Sequence, residues 1–194
     1  MEKEDIMLVF LLLAFLCGKL KGYRLRPLMK AYVLYPYFAI ELLYIFLQGS
    51  VFMGNYDFIM YSAILNNIFL FALIIPIMFF KLYKQGLLGA GLIIAGTFLN
   101  KFVMIQNGGK MPVYPSLSKI TGYFDASAIQ TADSIHILGN ESVRFKFLTD
   151  YIDVGYSIMS IGDLLIHSFV FITVYYSIKE LNKKLEREKI YGII

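Results

Sequence analysis

The sequence predicts an all-α fold, a polytopic helical membrane protein with about five transmembrane helices and a long outer connection. Of the 194 residues, 58% are hydrophobic and only 16% are charged. The mean hydropathy of +0.65 is well above what a water-exposed surface tolerates. The apolar residues also fall into five runs near the roughly 20 residues that cross a bilayer. Because no hydrophilic linker divides the chain, residues 1–194 form one predicted domain.

The five predicted spans differ in length and polarity. The first is the weakest, because Lys19 follows its uncharged part closely, and an interfacial helix is the alternative for it. The fourth carries small residues at Gly86 and Ala90 and at Gly91 and Ala95, a spacing that lets helices pack closely. The predicted spans are residues 6–20, 31–53, 58–80, 86–106 and 155–178.

The distribution of basic residues predicts the orientation in the membrane. Lys and Arg cluster between the first two spans, between the third and fourth, and in the tail after residue 178. Because basic loops stay on the cytoplasmic side, we expect the N-terminus outside and the C-terminus in the cytoplasm. These segments are short and adjoin the spans, so the expected partners are membrane lipids rather than nucleic acid. A membrane-protein partner and a homo-oligomer are left open.

Several polar side chains interrupt the apolar runs, and such groups usually face protein or a water-filled cavity. Asn66, Lys101, Asp163 and His167 fall in the outer half of their spans when about 1.5 Å is counted per residue. They predict an outward-facing polar pocket in which Lys101 pairs with Asp163. Glu41 is a less certain partner for His167.

Asp163 has a second interpretation. Ser160 and Asp163 form a capping-box pattern, in which both side chains bond the free amides of a helix that starts near Ile161. Asp163 then stabilises the positive end of the helix and needs no chemical role. Capping alone and capping combined with a functional site both stay open.

The connection between the fourth and fifth spans, residues 107–154, is too long to be an idle loop. It opens with NGGKMPVYP, whose glycines and prolines predict a turn followed by an extended segment across the outer ends of the helices. This segment and the polar pocket together form the predicted ligand site. Its candidate residues are Asn107, Gly108, Gly109, Lys110, Met111, Pro112, Lys101, Asn66, His136 and His167.

Three motifs, NGGKMPV, DSIH and LTDYIDVGYSIMSIGDLLI, occur in this order along the chain. Together they resemble an uncharacterised bacterial family of small integral-membrane proteins, defined only as a domain of unknown function. The resemblance spans most of the chain. It implies a multi-pass fold in the bacterial cytoplasmic membrane, and it implies no activity.

A fainter resemblance is to lipoprotein signal peptidase, an intramembrane aspartyl protease. GNESVR followed by SIGDLLI is similar in order and spacing to the segments that carry the two aspartates of that enzyme. One aspartate matches Asp163, but the other matches Val143, while Asp150 and Asp153 lie nearby and out of register. An aspartyl mechanism needs two carboxylates that share a proton. The departure at Val143 therefore argues against a catalytic role for Asp163, Asp150 and Asp153.

The leading prediction is a non-enzymatic membrane module that binds a ligand, a lipid or a partner protein at an outward-facing polar site. One alternative is an intramembrane aspartyl-type hydrolase. Another is a small solute or proton carrier that rests on Glu41 and His167. No cofactor is expected, and no metal, because Cys17 is the single cysteine and His136 and His167 are spaced unlike a local zinc motif.

Overall fold

The computed structural model describes residues 5–53, 55, 58, 61–124 and 135–190. Most of these residues are helical, which confirms the predicted helical fold class. Within the described residues, each of the five predicted apolar segments contains a long helix, and a short helix lies between the last two. The helices are α1 (Asp5–Leu20), α2 (Tyr35–Phe52), α3 (Ser62–Phe79), α4 (Tyr83–Gln106), α5 (Leu117–Thr121) and α6 (Ile161–Ile190).

Three segments in the described part of the chain are helical, long and apolar enough to cross a membrane. They are Tyr32–Ser50, which includes most of α2, then α4 and α6. Helix α1 and the Ile68–Phe79 part of α3 are apolar but shorter. Large apolar side chains such as Leu87 and Ile105 are exposed on α4, as expected of a helix face that contacts lipid. The structure therefore indicates a membrane protein, and it does not by itself assign five crossings.

Helix α6 is the central element, because it packs along both α4 and α1. Val170, Val174 and Ile178 of α6 are fully buried. They join one hydrophobic core with Tyr37 of α2 and Leu73 of α3. The core thus lies between α6 and the first three helices, and α4 covers the remaining side of α6.

The bounds of α6 differ from those of the predicted fifth span. The helix begins at Ile161, because residues 155–160 form a turn and a short strand before it. It continues beyond residue 178 to Ile190, and the added turns are polar, with Lys183 bonded to Glu180 at 2.6 Å. The last helix is therefore an apolar segment with a solvated extension.

Helices α4 and α6 approach each other at glycine residues. A Cβ atom placed on Gly96 would lie 2.3 Å from the carbonyl oxygen of Gly162. One placed on Gly89, two turns earlier, would lie 2.0 Å from the ring of Phe169. Only glycine fits at these two positions of α4, and at Gly96 the backbones of the two helices are in direct contact.

The small residues whose spacing suggested close helix packing are not the ones that contact α6. Ala90, Gly91 and Ala95 are exposed, and no atom lies within 4 Å of a Cβ placed on Gly91. Small residues occupy more than one face of α4, so their spacing alone does not tell which face meets a neighbouring helix.

Residues 107–124 and 135–160 link the end of α4 to the start of α6, and we name them the connecting layer. Besides α5, the layer contains two short strand pairs, one parallel and one antiparallel. The sequence predicts an extended segment at the first strand and none of this pairing. The pairs are β1 (Met111–Val113) with β2 (His136–Leu138), and β3 (Ile152–Asp153) with β4 (Ile158–Met159).

At the other end of the bundle, Asn182 of α6 holds the loop that follows α1. Its side-chain oxygen accepts a hydrogen bond from the N–H of Arg24 at 2.8 Å, and its amide donates to the Arg24 carbonyl oxygen at 3.0 Å. This double contact brings the basic segment 19–30 beside the basic end of α6.

The glycine contact gives a matched pair of substitutions on one helix. We expect Gly96→Ala to destabilise the protein by about 1–3 kcal/mol or more, because the added methyl group overlaps the Gly162 carbonyl. Gly91→Ala adds the same methyl group where there is open space. It should leave stability unchanged or raise it by up to about 1 kcal/mol through helix propensity. Thermal unfolding in detergent measures the stability of both variants. If the two substitutions change stability equally, Gly96 does not contact Gly162 closely.

Candidate functional site

The NGGKMPV motif turns the chain from α4 into β1. Gly108 and Gly109 have φ values of 68° and 80°, in the left-handed region that glycine adopts at little cost. The Asn107 amide donates to the carbonyl oxygens of Val103 at 2.9 Å and Arg144 at 3.0 Å, and its oxygen accepts from the Arg144 N–H at 2.9 Å. Asn107 thereby ties the end of α4 to the distant loop at Arg144.

Met111 and Pro112 of the same motif are buried in β1, and Lys110 before them is half-buried. Strand β2 lies on one side of β1, and Asp150 lies on the other. The Asp150 N–H donates to the Pro112 carbonyl oxygen at 3.1 Å, and the Tyr114 N–H donates to the Asp150 carbonyl oxygen at 2.9 Å. The motif therefore forms the middle of the connecting layer, with Met111 and Pro112 buried in the strand β1.

His136 and Asp150 meet beside β1. The Nε2 atom of His136 lies 3.3 Å from Oδ2 of Asp150, whose side chain is 1% exposed. The contact is an ion pair when His136 is protonated and an N–H to carboxylate hydrogen bond when it is neutral. It joins β2 to the segment that leads into β3.

Asp163 lies at the start of α6, where α4 crosses it, and is 3% exposed. Its Oδ2 atom accepts from the Ser160 N–H at 2.8 Å and lies 2.6 Å from the Ser160 hydroxyl, while the Asp163 N–H donates to that hydroxyl at 3.1 Å. These reciprocal bonds are those of the predicted capping box. The Asn100 amide of α4 also donates to Asp163 Oδ1 at 2.8 Å.

A third contact closes this cluster. The Ser160 hydroxyl lies 2.8 Å from Oδ1 of Asn100, so Asn100, Ser160 and Asp163 each touch the other two. We name these residues the polar triad. Its members hold the start of α6 against α4 at the Gly96 crossing.

The predicted pairing of Lys101 with Asp163 is wrong. Lys101 is exposed, and its neighbour Asn100 makes the contact. One step along a helix turns the side chain by about 100°, so adjacent residues face different surroundings. The side chain of Asn66, another pocket candidate, lies outside the described residues.

His167 lies one turn beyond Asp163 and is 4% exposed. Its ring stacks on Phe69 of α3, with centroids 5.8 Å apart and an interplanar angle of 21°. Glu41, the suggested partner of His167, accepts a hydrogen bond from the Tyr37 hydroxyl at 3.2 Å. Both groups are thus part of the helix packing.

Asp153 caps the short helix α5. Its Oδ2 atom accepts from the N–H groups of Ser116 at 2.5 Å and Ser118 at 3.0 Å and from the Ser118 hydroxyl at 2.8 Å, and its Oδ1 accepts from the Gly155 N–H at 2.8 Å. Burial alone raises the pKa of Asp153, but these hydrogen bonds outweigh it and hold the pKa below its usual value.

The three carboxylates that a hydrolase was expected to use therefore have three separate structural settings. Asp150 contacts His136, Asp153 caps α5, and Asp163 belongs to the polar triad. Among the described residues, no group of three or more His, Cys, Asp or Glu side chains is arranged to hold a metal.

A groove lies on the connecting layer where β1 ends. It has a cavity volume of about 390 Å³, with Val113, Tyr114, Ser116, Lys119, Leu138 and Tyr151 in its walls. The rings of Tyr114 and Tyr151 meet edge to face at 5.8 Å. Lys146 lies beside the groove, with its ammonium group 4.4 Å from the centre of the Tyr114 ring and 5.3 Å from that of Tyr151.

The groove thus has apolar, aromatic and cationic side chains in or beside its walls. Asp153 also lines it, with its carboxylate bonded to the start of α5. Burial raises the pKa of Tyr114, whose hydroxyl donates to the Asn140 carbonyl oxygen at 3.0 Å. This combination suits a ligand that has both an apolar part and a negative charge.

A model of a family of unknown function (DUF5317) matches residues 26–175. The chain belongs to this family. The DUF5317 match covers α2 to α4, the connecting layer and the first half of α6, so it includes the polar triad and the groove. The predicted membership of an uncharacterised family is confirmed. No curated protein and no solved structure matches the chain.

Sequence reasoning missed the groove in this DUF5317 protein. Lys119, Lys146 and Tyr151 were not singled out, because each stands alone in a connection that has no periodic pattern. Tyr and Lys are about as frequent in the connecting layer as in the whole chain, so composition gave no signal for the groove.

The Asp153 cap gives a prediction about pH. Its folded pKa is lowered, so its contribution to stability is present above the unfolded value, about 3.9, and is lost as the pH falls through the folded pKa. We expect Asp153→Asn to cost about 1–2 kcal/mol at pH 7, because the amide replaces one acceptor with a donor. The difference in the free energy of unfolding between the wild type and Asp153→Asn should become smaller below pH 4.

The exposed acid Glu141 in the same layer supplies the control. Thermal unfolding in detergent at pH 7 and at pH 3 should separate the two variants, with Glu141→Gln close to the wild type. An Asp153→Asn protein as stable as Glu141→Gln at pH 7 would contradict the cap.

Proposed function

We propose that this protein is a five-span protein of a bacterial cytoplasmic membrane that binds an anionic lipid headgroup in the groove of the connecting layer. In this arrangement the connecting layer faces outward. The observation that carries the proposal is the groove itself, which is lined by apolar residues, two tyrosines and Lys119, with the ammonium group of Lys146 beside it against the Tyr114 ring.

The charge distribution supports the outward orientation of the layer. Most Lys and Arg residues lie at the opposite end of the bundle, where the Asn182 contact with Arg24 joins the first loop to the end of α6. Basic segments next to spans are retained in the cytoplasm. The basic residues at this end are Lys19, Lys21, Arg24, Arg26, Lys30, Lys81, Lys84, Lys179, Lys183, Lys184, Arg187 and Lys189.

A lipid headgroup fits the groove better than a fully water-soluble ligand. The layer joins two helices that are long and apolar enough to span, so the groove lies close to the membrane surface. Exposed apolar residues surround it, including Leu117, Ile120 and Leu138. Such residues contact acyl chains, while tyrosines occupy the headgroup level and lysines attract phosphate.

Cysteine labelling tests the orientation. In a Cys17→Ser background, we expect Glu141→Cys in the connecting layer to react with a membrane-impermeant maleimide on intact cells. Lys184→Cys on the solvated end of α6 should react only after the membrane is permeabilised. Both positions are exposed, so the side of the membrane on which each cysteine lies decides whether the maleimide reaches it. Labelling of position 184 from outside would reverse the proposed orientation.

Native mass spectrometry of the detergent-solubilised protein tests the groove. We expect the wild type to retain phosphatidylglycerol in preference to phosphatidylcholine. Each lysine near a charged surface contributes about 1 kcal/mol, so Lys119→Ala combined with Lys146→Ala should weaken phosphatidylglycerol binding by roughly tenfold or more.

Arg144→Ala is the matched control, because Arg144 is an exposed cation of the same layer and does not line the groove. It should retain phosphatidylglycerol as the wild type does. If the double lysine variant and Arg144→Ala bind this lipid equally well, the groove is not its site.

A further inference from the structure

Lys146 is a cation whose ammonium group lies over two aromatic rings at once. Its Nζ atom is 4.4 Å from the centre of the Tyr114 ring and 5.3 Å from the centre of the Tyr151 ring. The face of an aromatic ring carries a negative potential and attracts a cation within about 6 Å. Among the described residues, no carboxylate forms an ion pair with this ammonium group. The two tyrosines are therefore its electrostatic partners.

The Tyr114 ring is fixed by its surroundings. Its hydroxyl donates to the Asn140 carbonyl oxygen at 3.0 Å, and it meets the Tyr151 ring at an interplanar angle of 66°. A Cβ atom placed on Gly139 would overlap the Tyr114 ring, so the ring lies directly on the backbone at this glycine. The two rings thus form a cation-binding surface, as do the aromatic cages that bind quaternary ammonium groups.

Contacts with α4 fix the backbone at Lys146. Arg144 forms two hydrogen bonds with Asn107 at the end of α4, and the Phe145 ring contacts Phe102 of α4 with centroids 5.1 Å apart. Phe145 also has a φ of 55°, in the left-handed region that a bulky residue rarely adopts. Strain of this kind persists only where the surrounding structure determines it. The chain is therefore held in the conformation that brings Lys146 to the tyrosines.

We propose that Lys146 determines the headgroup specificity of the groove, because its ammonium group occupies the cation-binding surface of Tyr114 and Tyr151. An anionic headgroup can pair with this ammonium group where it lies. A choline headgroup brings a quaternary ammonium group of its own, which must displace Lys146 before it reaches the two rings. The inference rests on the proposed lipid groove and adds the residue that selects between lipids.

Lys119 has a different position in the same groove. It lines the groove wall, and its ammonium group lies 6.0 Å from the centre of the Phe124 ring. Both lysines add positive charge near the headgroup, but among the described residues only Lys146 covers the tyrosine pair. Removing Lys119 therefore removes charge alone, whereas removing Lys146 removes charge and uncovers the rings. This difference separates specificity from general electrostatic attraction.

Native mass spectrometry of the full-length protein in detergent tests the assignment, with phosphatidylglycerol and phosphatidylcholine of the same acyl chains as competing lipids. We expect Lys146→Ala to bind phosphatidylglycerol roughly fivefold more weakly than the wild type and phosphatidylcholine roughly twofold to fivefold more tightly. Lys119→Ala should also lose affinity for phosphatidylglycerol, but it should gain none for phosphatidylcholine. If phosphatidylcholine binding does not increase in Lys146→Ala, the proposal is overturned.

Two substitutions of Tyr151 test whether the rings receive the choline group. Tyr151 is 53% exposed, so its side chain can be changed with little effect on folding. In the Lys146→Ala background, Tyr151→Phe keeps an aromatic face and should retain the gain in phosphatidylcholine binding. Tyr151→Leu has no aromatic face and should remove most of that gain. Equal phosphatidylcholine binding by the two double variants would contradict a cation site on the rings.

The same measurements separate this inference from the proposed function. Weaker phosphatidylglycerol binding in Lys119→Ala supports the lipid groove, whether or not Lys146→Ala gains phosphatidylcholine. If both lysine substitutions weaken phosphatidylglycerol binding and neither strengthens phosphatidylcholine binding, the groove is supported and the role of Lys146 in specificity is overturned. If neither substitution changes the binding of either lipid, both proposals are overturned.

Discussion

The backbone contact between Gly96 and Gly162 is the constraint on which the arrangement of the molecule depends. It brings the backbones of α4 and α6 together without room for a side chain, and it places Asn100, one turn further along α4, against Asp163. In an apolar setting each of these polar groups needs a protein partner, because neither lipid nor apolar side chains provide one. Helix packing and polar pairing at this crossing therefore require each other.

The connecting layer is stabilised in a different way. Its buried apolar cluster is small, consisting of Val113, Phe124 and Ile158. Hydrogen bonds from polar side chains to backbone groups also hold the layer together. Asn107 makes such bonds at the end of α4, and Asp153 makes them at the start of α5. Such a layer keeps its shape through directional bonds while apolar residues such as Ile120 and Leu138 stay exposed.

Much of the helical framework could be predicted from the sequence, because a run of apolar residues is itself the physical cause of a buried helix. The capping box at Ser160 and Asp163 was also predictable, since all its partners lie within one turn. Which residue of α4 contacts Asp163 was not predictable. Choosing between Asn100 and Lys101 needs the rotation of α4, and that rotation is set by the fit of Gly96 against Gly162. The pairing of His136 with Asp150 likewise depends on strands that are too short to leave a pattern.

The polar triad and the groove are linked by a short, continuous path. Ser160 follows β4 directly, β4 pairs with β3, and Asp153 of β3 binds the backbone of Ser116 in the groove wall. The position of the groove wall therefore depends on where α6 begins against α4, because Asp153 joins the strand pair before α6 to the start of α5.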